Sequence, residues 1–485
     1  MSFNETVLIA DLMARSGVGF GTSGARGRVA DMTAPVCYAY CLAFLQHLGQ
    51  RGALGKPAVA LAGDLRASTP DIMRACAAAI ADAGCEVVNC GFLPSPALAY
   101  FGILNGMPSI MVTGSHIPDD RNGIKFNRAD GEIAKADEEA IRAQSVSIPS
   151  SIRTDALPDV DARARAAYLD RYRDFFAPAA LAGMRVAVYE HSGVARDLLA
   201  EILIELGAEV TRLGRSERFM PVDTEAIRTE DVDLAHRWAH EQDFDAIVST
   251  DGDADRPLIG TEQGVWLRGD IVGVLCARAL GIEALATPVS SNTVVERCLW
   301  FARVERTRIG SPYVIAGMQV LQAAGYALVA GYEANGGFLL ASDIELDGRR
   351  LSALPTRDAL LPILALLAST HSEGVPLSAL AESLPARFTA SDRLKDYPTD
   401  RSRALIDRLI AGGTPAIEQA FGALCGALEG VDTTDGLRMT FANGEVVHLR
   451  PSGNAPEFRC YNEAESEARV AALNADCLAL LRDAG

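Results

Sequence analysis

The sequence predicts an α/β fold divided into several units, and three observations carry that expectation. Strand-like apolar runs alternate with helix-like stretches through most of the chain. At 485 residues the chain is too long for one core, and ordinary domain sizes give three or four units. Several strand-like runs end in loops that mix glycine with hydroxyl, carboxylate or guanidinium groups, as in α/β layers whose functional loops gather at one end of the sheet.

The first unit is placed at 1–155. It opens with Gly19-Phe-Gly-Thr-Ser-Gly-Ala-Arg-Gly27, read as a glycine-rich loop whose backbone amides could approach an anion while Arg26 reaches into the same space. Then come a helix over 36–48, a strand over 58–62 running into Gly63-Asp-Leu-Arg-Ala-Ser-Thr69, a helix over 73–83, a strand over 86–89 and a helix opening at Pro94-Ser-Pro96. The apolar run 110–112 enters a turn in which Ser115 is the candidate nucleophile. His116 and Lys125 are the nearby groups able to move a proton. Polar, proline-bearing residues at 147–161 suit a linker.

The second unit, 156–265, reads as a helix over 166–176, strands over 184–189 and 209–213 around a helix over 196–206, and a last strand over 245–249. That strand delivers the chain to Thr250-Asp-Gly-Asp-Ala-Asp-Arg-Pro257. Asp251, Asp253 and Asp255 are two apart, so in an extended loop their carboxylates converge on one hard cation. Without a cation or Arg256 their mutual repulsion is costly. A calcium EF-hand is excluded, because Arg256 stands where that loop needs glycine and a strand precedes it.

The third unit, 266–370, reads as a helix over 270–279, a strand over 287–290, a turn over 306–310, a helix over 315–324 and a strand over 327–330. It ends in Gly331-Tyr-Glu-Ala-Asn-Gly-Gly-Phe338, where Glu333 and Asn335 could hydrogen-bond vicinal sugar hydroxyls, although such a loop is also an ordinary turn. The fourth unit, 371–485, carries a strand over 445–449 and the loop to Arg459. Arg450, Ser452, Gly453, Asn454 and Arg459 make a cradle suited to phosphate, and an amphipathic helix over 466–482 packs on the same unit.

Composition narrows the partners. The net charge of −18 argues against nucleic acid and anionic membranes, which need a broad basic field. The ten cysteines form no CxxC pair and read as reduced core thiols. The longest apolar run, 360–368, is interrupted by Pro362 and too short to span a bilayer, and the first residues lack a basic signal-peptide region. A soluble cytoplasmic protein is expected.

Together the loops supply a nucleophilic hydroxyl, a divalent-metal site, a hydroxyl-binding loop and a phosphate clamp, the equipment for phosphoryl transfer on a sugar phosphate. The chain resembles the α-D-phosphohexomutase family over essentially its whole length. The resemblance rests on Gly21-Thr-Ser-Gly-Ala-Arg-Gly27, Thr113-Gly-Ser-His-Ile-Pro118 with Asn122-Gly-Ile-Lys125, Asp251-Gly-Asp-Ala-Asp-Arg256, Gly331-Tyr-Glu-Ala-Asn335 and Arg450-Pro-Ser-Gly-Asn454. It implies three similar mixed-sheet α/β domains and a smaller α+β domain around a central cleft. It also implies a phosphoserine at Ser115, one Mg²⁺ held by that phosphate with Asp251, Asp253 and Asp255, and a hexose 1,6-bisphosphate intermediate. Lys125 is the preferred acid/base, Arg26 and Arg256 steady the phosphoserine, and the fourth loop holds the other phosphate. Mannose is the first choice of sugar, with glucose or glucosamine as alternatives and a silent sugar-phosphate-binding protein behind them; a monomer or homodimer is expected. The chain departs from the family's usual Thr-Ala-Ser-His-Asn-Pro at Gly114 and Ile117.

Overall fold

The computed structural model describes residues 5–21, 24–54, 57–452 and 456–483. Its centre is a set of parallel strands whose side chains are buried on both faces, the environment in which near-continuous apolar runs are stable. Ala58–Gly63 is such a strand, buried along its length, with Glu86–Phe92 and Ser109–Val112 parallel on either side. Arg121–Arg128 returns antiparallel to Ser109–Val112 and then pairs with Gly24–Arg28. Helices Ala34–Gln50 and Thr69–Asp82 each carry proline in the first turn, where its missing N–H costs nothing.

The next two sheets repeat the plan. In the second, Arg185–Tyr189 lies between the parallel strands Glu209–Leu213 and Ala246–Thr250, and Pro257–Gly260 returns antiparallel. In the third, Ala284–Pro288 is flanked by the parallel Arg303–Thr307 and Val329–Tyr332, with Phe338–Leu340 antiparallel beyond. The last domain is different: its five strands, Phe388–Leu394, Phe458–Ala464, Val446–Pro451, Leu437–Phe441 and Leu428–Asp432, are all antiparallel. Helix Glu467–Asp483 packs on them through Leu473, Cys477, Leu478 and Leu481, the three-and-four spacing of one helix face. The architecture is three similar α/β domains followed by a smaller α+β domain.

One core runs through the first three domains, joining Phe101, Tyr168, Tyr172 and the apolar side of helix Leu360–Glu373. Each fully buried Phe or Leu in it is worth about 1.5–3 kcal/mol relative to exposure. The phenols of Tyr168 and Tyr172 both donate to buried Asp358, tying helix Arg163–Phe175 to the third sheet. The fourth domain has a core of its own. All ten cysteines are free thiols.

Some expected elements differ. Gly24–Arg28 is a strand in a hairpin with Gly19–Phe20, not a loop, because pairing with Arg121–Arg128 overrides the local preference of glycine. Of the turn expected over 306–310, residues 306 and 307 belong instead to the edge strand Arg303–Thr307, and the preceding strand lies at Ala284–Pro288, earlier than expected. Helix Thr229–Glu241 was not expected, since of its apolar residues only Ala235 and Trp238 are buried and its periodicity is weak.

Candidate active site

The four loops of interest share one topological position. Each joins a strand to its antiparallel neighbour: Ser109–Val112 to Arg121–Arg128, Ala246–Thr250 to Pro257–Gly260, Val329–Tyr332 to Phe338–Leu340, and Val446–Pro451 to Phe458–Ala464. The pairing closes beside the loop in each case, at Thr250 with Pro257 and at Tyr332 with Phe338, for example.

Ser115 stands at φ 54°, a left-handed conformation unusual for a residue with a side chain, which a surrounding network must hold. That network is built on Arg66. Its guanidinium donates to the backbone oxygens of Ser115 at 2.9 Å, Ile117 at 2.6 Å, Pro118 at 2.8 Å and Arg121 at 2.9 Å. Asp64 fixes Arg66 through Nε at 3.2 Å and also accepts from Thr113 Oγ1 at 2.8 Å. The second domain covers this assembly, with the Phe219 ring 3.8 Å from the Arg66 guanidinium carbon. Ser115 Oγ, so placed, donates to Asp251 Oδ2 at 2.5 Å and lies 3.3 Å from His116 Nδ1.

Asp251, Asp253 and Asp255 are all buried, and they offer carboxylate oxygens within 4.8 Å of one another. Lys125 Nζ sits 2.6 Å from both Asp253 Oδ2 and Asp255 Oδ2, and Ser95 Oγ donates to Asp253 at 2.5 Å. Burial and the two neighbouring carboxylates push Asp251 well above the usual carboxylate range. Burial opposes charge on Asp253 and Asp255 as well, yet Lys125 holds Asp253 below its ordinary value, and Arg357, Lys125 and Arg256 do so for Asp255. Burial likewise opposes charge on Lys125, but Asp253 and Asp255 win and keep it an ammonium. Burial and Arg256 hold His116 well below its ordinary value, so its ring is neutral. Burial, with Arg256 and Arg357 near, brings Arg26 down to about 10.

The donor set fits a hard divalent cation. Asp253 Oδ1 and Asp255 Oδ1 are buried with no hydrogen-bond partner, which is costly for a carboxylate oxygen unless a cation takes it.

Glu333 and Asn335 are both buried in the third loop. Glu333 Oε2 accepts from Arg357 Nη1 at 2.8 Å, while Arg357 Nη2 reaches Asp255 Oδ2 at 2.8 Å. Asn335 turns its side-chain oxygen onto the Gly337 N–H at 3.0 Å, and its backbone oxygen accepts from Thr224 Oγ1 at 2.7 Å. In the fourth loop Arg450 and Arg459 are cross-strand neighbours, and Asp435 holds Arg450 Nε at 2.9 Å. The same Asp435 carboxylate accepts from the Ile309 N–H at 3.0 Å, joining the third domain to the fourth. Ser452 is buried; Gly453 and Asn454 lie outside the described residues.

The fold therefore brings Ser115, His116, Lys125, Arg256, the three aspartates and Glu333 into one connected cluster. Sequence reading missed Arg66, Asp64, Ser95, Arg357 and Asp435. Asp64 and Arg66 did sit in a polar stretch at the end of a strand-like run, a signal that could have found them; the others carry no local pattern.

Models of the phosphoglucomutase/phosphomannomutase family match in order: α/β/α domain I over 17–150, domain II over 166–264, domain III over 268–388 and the C-terminal domain over 409–480. The chain belongs to this family. It is a phosphohexomutase-type isomerase, and its buried acidic cluster is compatible with a metal site. The mutase is 46% identical to a phosphomannomutase of Salmonella muenchen over 459 residues, covering 94% of each chain. It is 45% identical to a phosphomannomutase of Sinorhizobium fredii over 468 residues, covering 95% of this chain and 98% of that one. A phosphoglucomutase/phosphomannomutase family protein from Burkholderia thailandensis has the same fold, with TM-score 0.74, 23% identity and 96% of each chain covered. Among the described residues of the mutase, no helix is long and apolar enough to cross a membrane.

Proposed function

We propose that this mutase interconverts mannose 1-phosphate and mannose 6-phosphate through a phosphorylated Ser115 and a hexose 1,6-bisphosphate. The observation that carries the reading is the 2.5 Å contact between Ser115 Oγ of the first domain and Asp251 of the second, which puts that hydroxyl against a cluster of three buried carboxylates. Two relatives at 45–46% identity that bear the name phosphomannomutase support mannose.

Asp251, Asp253 and Asp255 would hold Mg²⁺ together with the Ser115 phosphate. The ion would neutralise charge on the transferring phosphoryl group. The remaining work falls to the chain. In the forward step the bond from phosphorus to Ser115 Oγ breaks, a bond from phosphorus to the free sugar hydroxyl forms, and the hydroxyl's proton ends on Ser115 Oγ. Lys125 is assigned to relay the proton, its ammonium giving one to Ser115 Oγ and regaining one from the sugar hydroxyl, and His116 is the second candidate. Arg26 and Arg256 steady the phosphoserine. Glu333 and Asn335 grip hydroxyls that the sugar presents in either of two orientations, while Arg450, Ser452 and Arg459, with Gly453 and Asn454, hold the phosphate that is not reacting.

This reading takes the domains as 1–155, 156–265, 266–370 and 371–485, and the protein as a cytoplasmic monomer or homodimer. Purified protein with Mg²⁺ and a catalytic amount of hexose 1,6-bisphosphate should interconvert the phosphates, fastest with mannose in a side-by-side comparison with glucose and glucosamine. A faster rate with either of those sugars would move the substrate assignment. Full turnover by Ser115→Ala would end the phosphoserine mechanism.

A further inference from the structure

The glycine pair Gly336-Gly337 and the arginine at the end of the third sheet find no use in the chemistry above, and they belong together. Arg357 lies on strand Leu354–Asp358, next to Phe338–Leu340. Its side chain is 4% exposed, and its two terminal nitrogens are each 2.8 Å from a carboxylate oxygen, Glu333 Oε2 on one side and Asp255 Oδ2 on the other. A Cβ at position 337 would lie 2.6 Å from Arg357 Cδ, so Gly337 is what lets the arginine arm pass. Asp255 Oδ1 is left without a hydrogen-bond partner.

A guanidinium is a planar fork whose nitrogens cannot move independently, so two carboxylates bound to it are fixed relative to each other. Here one carboxylate belongs to the loop assigned to sugar hydroxyls and the other to the loop assigned to the cation. We propose that Arg357 is a positioning residue that locks Glu333 and Asp255 into one frame, so that hexose phosphate and divalent cation bind with positive coupling. The inference rests on the sugar and metal assignments made above. Ordering of either loop by its ligand sets the fork, and through the fork the other loop; by linkage the effect is reciprocal. Lysine keeps the charge but offers one nitrogen on a flexible stem, and cannot hold both carboxylates in the same geometry.

The test measures binding, not turnover. Affinity for Mn²⁺ is titrated with and without mannose 1-phosphate, and affinity for mannose 1-phosphate with and without Mn²⁺. In the unaltered protein each ligand should tighten the other by about fivefold or more, the ordinary range of coupling between sites. In Arg357→Lys the coupling should fall to near unity, while each ligand alone loses less than about threefold. Gly337→Ala keeps the guanidinium and displaces its arm, and should give the same loss; it decides the matter if the lysine variant does not fold. Persistence of the coupling in a folded variant of either kind overturns the role of Arg357. Failure of the unaltered protein to bind mannose, glucose or glucosamine phosphates instead removes the assignment of the site, and the inference with it.

Discussion

Arg66 and Gly114 are fitted to one another: a Cβ at position 114 would lie 2.6 Å from the guanidinium carbon of Arg66. The glycine at this position, where the family usually has alanine, thus leaves room for the arginine that holds the Ser115 loop. Gly114→Ala should displace Arg66 and cost about 1–3 kcal/mol, as overpacking of a well-filled site does. Because Arg66 carries the backbone oxygen of Ser115, turnover should fall as well, by about tenfold or more. Urea midpoints and kcat measured on the same preparation check both, and an unchanged pair of values would mean that the loop is held by other contacts.

Asp253→Asn removes one formal charge from the carboxylate set while keeping its shape. Divalent-cation affinity and turnover should fall together, since Asp253 Oδ1 is one of two oxygens of the aspartate cluster buried without a hydrogen-bond partner. Calorimetric titration with Mg²⁺ or Mn²⁺ gives the affinity directly. Unaltered affinity would place the cation elsewhere.

Arg450→Ala should raise KM for the phosphorylated sugar with a smaller change in kcat, the signature of a contact made equally in ground and transition states. The expected rise is about tenfold, the loss of one charge-assisted hydrogen bond of roughly 1.5 kcal/mol. Asp435→Asn should act in the same direction but more weakly, because Asp435 holds Arg450 in place without being assigned to the ligand.

The fold should lose stability in mild acid through His448. This ring is 1% exposed, donates from Nε2 to the Asp435 backbone oxygen at 2.6 Å, and is brought down to about 4 by burial. Arg438, Arg450 and Asp435 face it, and Tyr461 stacks on it. The folded protein therefore keeps the ring neutral, whereas the unfolded chain takes up a proton near pH 6.5. The contribution is complete above about pH 6.5 and is lost as pH falls toward 4, amounting to about 2 kcal/mol at pH 5. Urea denaturation at pH 8 and pH 5 measures it, and His448→Gln should flatten the difference by that amount.

The parts of the site legible in the sequence were those delivered by a local pattern. Ser115 and the aspartates follow apolar strands directly, and the two-residue spacing of the aspartates is plain in the chain. Arg357 and Asp435 were not legible because each acts on a loop far along the chain, and nothing around it in sequence marks the partner. Arg357 reaches Asp255 across 102 positions and Asp435 reaches Ile309 across 126. The antiparallel return strand after each loop was missed as well; Pro257–Gly260 and Phe338–Leu340 are too short to show a period.

From Arg387 onward the fourth domain has a core separate from the one that unites the other three, and hydrogen bonds tie it to the third: Glu463 with Thr293, Arg387 with Asn292, and Asp435 with Ile309. Contacts of this kind give way to water more readily than a shared apolar core does. On the proposed function, catalytic competence is therefore a property of assembly, not of any one domain's fold. At rising denaturant, turnover should vanish while helical circular dichroism still reports four intact domains, so that activity serves as the gauge of whether the clamp is docked.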